Sequence, residues 1–378
     1  MISFINRLLL LLSSTLFFDS FMGFHGFSLY PVMFLTVYMF FFESFKKSMC
    51  LIDTICLSNF ILSLLLSYVL ISINNGVSFD IFKSYASVLS GVLIFICFYK
   101  FLSNYNDIVN LINIVLFLHI VILVIQLVIY YCYGYDIDVS IMFHGEGHRP
   151  YGASGQYRPT GIFDEPGIYS IFIFSLFIVR YLYNLKLSVF DFFVILSIFL
   201  TLSLYGVLLV GIFFIWWVIF ALKRPFYTIL ALTFIVIITI SAIYFFSERV
   251  IMVLAGSDPS TVSKINIIHY FINEPINWLT GLGLLPIGFW ENANFQASGD
   301  LTIVLSTILI YGAPIGCMML INIYILLSNG KINKYVLLAL IPLIKLSTFN
   351  WIFFWVYLAL AKYALFLISL KRRSHNEY

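Results

Sequence analysis

Long apolar runs fill most of the chain, and short polar segments separate them. A helix needs roughly 20 mostly apolar residues to cross a bilayer. Runs of about this length predict twelve spanning helices, near residues 4–20, 27–44, 51–73, 81–99, 108–132, 167–184, 187–203, 205–222, 226–246, 300–327, 333–348 and 350–370. No period of about 20 to 50 residues repeats along the chain. The pattern therefore predicts an all-α, polytopic transmembrane helix bundle that forms a single integral membrane domain over residues 1–378.

The composition agrees with this prediction. Hydrophobic residues make up 62% of the chain and charged residues 10%, with a mean hydropathy of +1.05, whereas soluble domains are about half apolar and about a quarter charged. The net charge of +3 gives no reason to expect a nucleic-acid partner. Five cysteines lie scattered in or beside apolar runs without metal-ligand spacing, which is typical of small core residues. The first apolar run lacks a cleavage site, so we expect a spanning helix there rather than a signal peptide.

The basic residues predict the orientation of the helices, because Lys and Arg in short loops are retained in the cytoplasm. If the N-terminus is cytoplasmic, the following residues fall at cytoplasmic helix ends: Arg7, Lys46, Lys47, Lys100, Lys186, Lys223, Arg224, Lys331, Lys334, Lys371, Arg372 and Arg373. Most acidic residues then fall on the opposite face. Both termini are therefore expected in the cytoplasm.

Two long connections, 133–166 and 247–299, then lie together on the extracytoplasmic side. Connections of this length in a compact protein are usually functional or disordered. These two carry aromatic residues such as Trp278 and Trp290, with glycines and prolines, and few runs of Ser, Lys or Glu. We expect both to be folded and functional.

Two arginines mark the first long connection. Arg149 and Arg158 remain on the face that the predicted orientation otherwise clears of positive charge. The planar guanidinium group matches phosphate or carboxylate, so the pair indicates an anionic ligand. The alternative is internal pairing with Glu146, Asp164 or Glu165.

The end of this connection contains two candidate bases. Pro166 suits the first turn of a helix, which puts Asp164 and Glu165 at its positive end. Asp164 alone could cap that helix, which leaves Glu165 either to hold Arg158 or to act as a base toward a sugar hydroxyl. His148 is a second candidate base, the alternative being an ordinary surface histidine.

The second long connection offers further charged candidates. Residues 260–274 read as a helix too short to span the membrane, with Lys264 near its start. Lys264 and Arg249 are two cations for a ligand, or else solvated side chains. Asp300 opens the tenth predicted helix, where an acidic residue is either an N-cap or a substrate contact.

Polar side chains inside the predicted spans are costly in lipid and are expected to face the bundle, as we expect for His119, Gln126, Asp191, Lys345 and Asn350. Asp191 and Lys362 lie near cytoplasmic helix ends, close enough for their charges to snorkel. His119 and Gln126 lie near mid-membrane, where helix–helix hydrogen bonds are the usual role.

Three features resemble the Wzy-type O-antigen polymerase family of bacterial inner membranes, which shares a superfamily with the O-antigen ligases. The first is about twelve helices with two large external loops. The second is RPTGIFDEPGIYSIF, which is similar to the family's Arg-x-x-Gly-x-Phe-x-Glu-Pro segment. The third is NEPINWLTGLGLLP, followed after a gap by DLTIVLSTILIYGAPIG. The resemblance covers roughly residues 140–320.

The resemblance implies a GT-C-like, inverting glycosyltransferase at the periplasmic face that joins oligosaccharide repeat units carried on undecaprenyl diphosphate. It implies that Arg158, Arg149, Lys264 and Arg249 hold the diphosphate, with Asp300 as a further substrate contact, and that Glu165 or His148 is the base. No cofactor or metal is expected, and a chain-length regulator is a possible protein partner. The family often has an arginine where this chain has Lys264, which supplies charge without the bidentate fork.

Three alternatives remain. An O-antigen ligase usually has a histidine after the glycine turn, and the segment GFWENANFQASGD contains none. A flippase for lipid-linked sugars would bind near the midplane with broken helices and often internal repeats. Here the polar residues collect in the two long connections. A purely structural membrane protein is the third alternative.

Overall fold

The computed structural model describes residues 2–15, 20–21, 24–25, 38, 49–76, 78–102, 105–141, 148–151, 155–220, 233, 236, 247, 251–252, 254–256, 259–284, 298, 301–347 and 349–376. The helices are α1 (Ile2–Thr15), α2 (Leu51–Asn75), α3 (Phe79–Phe101), α4 (Tyr105–Tyr133), α5 (Pro166–Asn184), α6 (Val189–Leu200), α7 (Leu204–Phe220), α8 (Pro259–Asn273), α9 (Pro275–Thr280), α10 (Ile303–Tyr311), α11 (Ala313–Ser328), α12 (Lys334–Leu340) and α13 (Ile352–Asn376). A 3₁₀ turn (Pro342–Ile344) follows α12. The two-residue strands β1 (Ser20–Phe21) and β2 (Phe24–His25) pair antiparallel.

The prediction of a helical membrane protein is confirmed, but twelve spans are not. Among the described residues, five helices are long and apolar enough to cross a membrane: α2, α3, α4, α5 and α13. Helices α6, α7, α11 and the segment Lys334–Ile344 are apolar but shorter. The predicted spans at 27–44 and 226–246 lie almost entirely outside the described residues.

Helices α5 and α13 form the centre of the bundle. Nearly every side chain of α5 is buried, and α5 packs against α4, α6, α7 and α13. Helix α13 also packs against α3, and α11 packs against α2. Pro166 occupies the first turn of α5, as predicted, because proline has no N–H to lose there. The helix ends at Leu185, which has the left-handed conformation with φ of 56°. Because α5 is buried along nearly its whole length, its start at Pro166 is held in the core of the bundle.

The helix predicted at 300–327 is broken, and the prediction of one continuous helix is wrong. Gly312, with φ of 80°, separates α10 from α11. The break leaves the last backbone carbonyl groups of α10 without partners inside the helix. They accept hydrogen bonds from N–H groups of the glycine turn at residues 281–283, which follows α9. Leu282 N donates to Leu309 O at 2.8 Å, and Gly283 N donates to Ile310 O at 2.9 Å. The second long connection is therefore joined by backbone hydrogen bonds to the bundle.

The helix predicted at 333–348 also ends early, since α12 stops at Leu340 and the 3₁₀ turn at Ile344. Pro342 cannot donate the hydrogen bond that an α-helix needs at this position. Lys345 consequently lies on irregular backbone between this turn and α13. This irregular backbone places Lys345 in the lining of the cavity at the candidate site.

The contact between the glycine turn and the helix break gives a prediction. A Cβ atom on Gly281 would overlap the backbone of Ile310 and Gly312, and its φ of 73° disfavours any other residue. Gly281→Ala is expected to cost about 2 kcal/mol or more in the free energy of unfolding. Gly211→Ala in α7 is the matched control, because its Cβ would meet open space. Thermal unfolding of the detergent-purified variants tests this, and equal melting temperatures would contradict it.

Candidate functional site

A glutamine of α4 holds the first long connection against the bundle. Gln126 Nε2 donates to Gly161 O at 2.9 Å and to Ile137 O at 3.0 Å, and Gly161 N donates to Gln126 Oε1 at 2.8 Å. Gly161 has φ of 65°, and a Cβ there would overlap the ring of Tyr169. The expectation that Gln126 makes a hydrogen bond to another helix is wrong. Its partners are backbone groups at two points of the connection, which fixes the turn before α5.

Backbone pairing brings the two predicted arginines together. Tyr151 and Tyr157 form an isolated antiparallel bridge, and Arg149 N donates to Asp164 O at 2.8 Å. The Arg158 side chain donates from Nη2 to Tyr151 O at 3.2 Å. The ring of Tyr157 stacks on that of Tyr130 of α4 at a centroid distance of 3.7 Å. These contacts hold both guanidinium groups at one side of the connection.

The arginines line a cavity of about 400 Å³. Of the described side chains that line it, three are cationic, from Arg149, Arg158 and Lys345, and Glu165 is acidic. The wall also includes apolar side chains such as those of Ile168 and Ile171, and its remaining lining comes from Tyr151 and from the starts of α5, α7 and α13. The arrangement combines an excess of positive charge with a wall that is apolar in part.

Three helices begin at this cavity. Glu165 is the N-cap residue of α5, Ser203 directly precedes α7, and Trp351 directly precedes α13, and all three line the cavity. The first N–H groups of a helix lack partners within the helix, and its dipole is positive at this end. Three helix starts therefore add partial positive charge to that of the side chains, which favours an anionic ligand.

Glu165 pairs with Arg149, which is one of the internal pairings that the sequence left open for the two arginines. Arg149 Nη1 donates to Glu165 Oε1 at 2.8 Å, and the two side chains are 68% and 42% exposed. Glu165 occupies the N-cap position but makes no side-chain cap hydrogen bond, and Asp164, the predicted cap, does not occupy that position. An exposed ion pair of this kind contributes little to stability. The Glu165 carboxylate lines the cavity, and exchange of its contact with Arg149 for a contact with a ligand would cost little stability.

Lys264 contacts a tyrosine that lines the cavity. Its Nζ atom donates to Tyr205 Oη at 3.0 Å, and Tyr205 lines the cavity. The helix predicted around Lys264 is confirmed as α8. Lys345 Nζ lies 4.3 Å from the centroid of the Tyr205 ring, within range of a cation–π interaction. Lys345 is 7% exposed, which confirms that it faces the interior of the described bundle.

His148 lies in a different cluster and does not line the cavity. Its Nε2 atom is 2.9 Å from Asp136 Oδ2, its Nδ1 atom is 3.5 Å from Asp138 Oδ1 and 3.4 Å from Thr160 Oγ1, and its side chain is 4% exposed. Burial alone raises the pKa of Asp138, but hydrogen bonds from Ser140 and from the backbone of His148 and Ile141, together with the charge of His148, lower that pKa overall. Asp138 is therefore ionised beside the imidazole at neutral pH. This geometry favours a structural role for His148 over both sequence interpretations.

Two predicted site residues, Arg249 and Asp300, lie outside the described residues. Tyr205 and Trp351 were missed by the sequence analysis. In the sequence, both residues lie beside polar residues at the ends of apolar runs, and this position is the signal that could have identified them. Within the part of the chain that the structure describes, His, Cys, Asp and Glu side chains form no group of three or more that could hold a metal ion.

Comparisons with known proteins do not assign a family. No family model, curated protein or solved structure matches the chain. A cavity with guanidinium and ammonium groups, three helix starts and a partly apolar wall suits an anion attached to an apolar chain. The carboxylate of Glu165, which also lines the cavity, is chemically able to accept a proton.

Proposed function

We propose that the chain is a Wzy-type surface polysaccharide polymerase, which joins oligosaccharide repeat units carried on undecaprenyl diphosphate. The observation that carries the proposal is the cavity in which Arg149, Arg158 and Lys345 meet a carboxylate and three helix starts. The apolar residues of its wall suit the lipid part of such a substrate. The segment that contains Arg158 and Glu165 is also the one that resembles the polymerase family.

The proposed reaction is glycosyl transfer with inversion. A hydroxyl group of the incoming repeat unit attacks the anomeric carbon of the growing chain, and the bond from that carbon to the lipid diphosphate breaks. The diphosphate leaves with the bonding electrons, and the cations of the cavity stabilise its developing charge. Glu165 takes the hydroxyl proton as general base. Arg149, its ion-pair partner, holds the carboxylate in position until the substrate binds.

The proposal includes the membrane arrangement predicted from the sequence. It has about twelve spanning helices in a GT-C-like bundle, two large periplasmic loops, and both termini in the cytoplasm of a bacterial inner membrane. Five helices able to span support it. The starts of α5 and α7 at one cavity support it further, because α6 returns the chain between them. A chain-length regulator is the protein partner in this proposal.

The break between α10 and α11 is the observation that favours the flippase, since broken helices are common at transporter binding sites. Its freed carbonyl groups at Leu309 and Ile310, however, accept hydrogen bonds from Leu282 and Gly283. Neither carbonyl-bearing residue lines the cavity. The break therefore serves packing, and the polymerase remains the better explanation of the charged cavity.

The test is the surface glycan of a strain in which the gene is deleted and then supplied again. A polymerase deletion is expected to leave a single repeat unit on the lipid core, and the wild-type chain is expected to restore a ladder of lengths. Arg158→Ala is expected to leave only the single unit at equal membrane abundance, because the diphosphate loses a bidentate partner. Immunoblotting of membranes gives the abundance.

Each other outcome has a distinct meaning. Loss of even the single unit in the deletion strain would indicate flipping or ligation and would reject the polymerase. A normal ladder with Arg158→Ala would remove that residue from the site. Lys186→Ala is the matched control, since this exposed cation lies between α5 and α6, away from the cavity, and is expected to restore the full ladder.

A further inference from the structure

Tyr205 connects two ammonium groups that come from distant parts of the chain. It is the second residue of α7. Its hydroxyl oxygen accepts a hydrogen bond from Lys264 of α8, with an Nζ–Oη distance of 3.0 Å. Its ring lies against Lys345 of the segment after the 3₁₀ turn, with Nζ at 4.3 Å from the centroid. One side chain thus holds one lysine with its ring and another with its hydroxyl group.

This arrangement brings like charges together beside a cavity that is already positive. Two ammonium groups near one ring repel each other, and the repulsion grows as water is excluded. A ligand with a single negative charge neutralises only part of the charge of the cavity. A ligand with two adjacent phosphoryl groups offers one group to the arginines of the first connection and the other to the lysines at Tyr205, and Arg149, Arg158, Tyr205 and Lys345 line the same cavity.

We propose that Tyr205 is a positioning residue that holds the Lys264 ammonium group beside Lys345, so that the two lysines bind one phosphoryl group of a lipid diphosphate. Arg149 and Arg158 bind the other. The choice of a lipid diphosphate rests on the proposed function. The distinguishing property is a preference for a diphosphate over a monophosphate on the same lipid, which a merely structural tyrosine does not set.

The test uses the full chain in lipid nanodiscs, titrated with farnesyl diphosphate and with farnesyl monophosphate. The wild type is expected to prefer the diphosphate by about tenfold, the value of one charge-assisted hydrogen bond. Tyr205→Phe keeps the ring for Lys345 and removes the hydroxyl group that holds Lys264. It is expected to abolish most of this preference while affinity for the monophosphate changes little.

A double-mutant cycle isolates the contact. Lys264→Gln is expected to lose at least as much of the preference as Tyr205→Phe, because it removes the charge and its contact with the ring as well as the hydrogen bond, and the double variant is expected to lose no more than Lys264→Gln alone. Tyr183→Phe is the matched control, since its hydroxyl group donates to Leu360 O within the bundle. If Tyr205→Phe reduces folded protein, Lys264→Gln alone is titrated, because it removes the contact from the other side.

The proposal would be overturned if the wild type bound neither probe, or if Tyr205→Phe or Lys264→Gln left the preference for the diphosphate unchanged. Additive losses in the double variant would also overturn it. The result is separable from that of the glycan experiment. If the deletion strain rejects the polymerase while the cycle shows full coupling, the diphosphate site stands without that function. An uncoupled cycle in a confirmed polymerase would reject only the role of Tyr205.

Discussion

Substituting methionine for Lys362 is expected to lower the free energy of unfolding by about 3–5 kcal/mol, since it leaves a buried carboxylate without its counter-charge. Lys362 of α13 and Asp53 of α2 form an ion pair with Nζ–Oδ1 at 2.6 Å, and their side chains are 3% and 2% exposed. The same ammonium group donates to Asn329 Oδ1 at 3.1 Å and to Leu326 O. It therefore ties α2 and the end of α11 to the central helix.

Melting of the detergent-purified variants measures this effect, with membrane abundance in cells as a second readout. Lys371→Met is the matched control, because Lys371 is an exposed lysine on the same helix. The double variant Asp53→Leu with Lys362→Met is expected to recover much of the loss, since it removes both charges. Equal melting of Lys362→Met and Lys371→Met would show that the ion pair does not stabilise the bundle.

The sequence predicted α2 and α3 to within two residues at each end. The predicted spans at 51–73 and 81–99 correspond to Leu51–Asn75 and Phe79–Phe101. This agreement has a physical cause, because a helix in lipid must keep its backbone hydrogen bonds and present apolar side chains over the whole bilayer thickness. The length of an apolar run therefore carries most of the information about such a helix.

Hydropathy cannot detect where an apolar run changes backbone conformation. The run at 300–327 contains Gly312, whose positive φ ends α10, and the partners of the freed carbonyl groups come from the glycine turn at 281–283. The sequence contained both glycine segments but not their contact. Only the folded chain shows that the turn and the break satisfy each other.

The expectation that Asp191 and Lys362 snorkel is wrong, whereas the expectation that Asp191 faces the bundle is confirmed, because the sequence pattern does not show which partners neighbouring helices supply. Both side chains are buried in ion pairs, Asp191 with Arg180 and Lys362 with Asp53. Their depth along the helix suggested that both charged groups reach the membrane interface. Their charged partners, however, lie on neighbouring helices. Arg180 also donates to Asn113 Oδ1 of α4 at 2.6 Å, a contact that no local pattern indicates.

The candidate site was predictable in part. Arg149, Arg158 and Glu165 are close in sequence, and one connection brings them to one cavity. The ion pair of Arg149 with Glu165 closes the same connection that contains the backbone bridge between Tyr151 and Tyr157. Tyr205 belongs to α7, and Lys345 lies on the irregular segment before α13. Their convergence follows from the packing of α5 with α7 and α13, which no motif encodes.

Glu165→Gln is expected to reduce polymerisation by roughly 10²–10⁴-fold, the usual contribution of a general base. Glutamine keeps the shape of the side chain and an acceptor oxygen for Arg149, but it cannot take the proton of the attacking hydroxyl group. Asp164→Asn is the matched control, because this adjacent carboxylate does not line the cavity, and it is expected to keep polymerisation near the wild-type rate. The measurement is the rate at which purified protein extends lipid-linked repeat units.

The ion pair allows a second explanation, in which Glu165 acts only by orienting Arg149, and the variants separate the two. If orientation were its whole role, Glu165→Gln would cost little, because glutamine still accepts a hydrogen bond from Arg149, and Arg149→Ala would cost more than Glu165→Gln. If Glu165 is the base, Glu165→Gln costs more than Arg149→Ala, because the guanidinium contact is exposed and Arg158 and Lys345 also supply positive charge to the cavity. Full activity of Glu165→Gln would exclude Glu165 as the base and would require the proton to leave by another group.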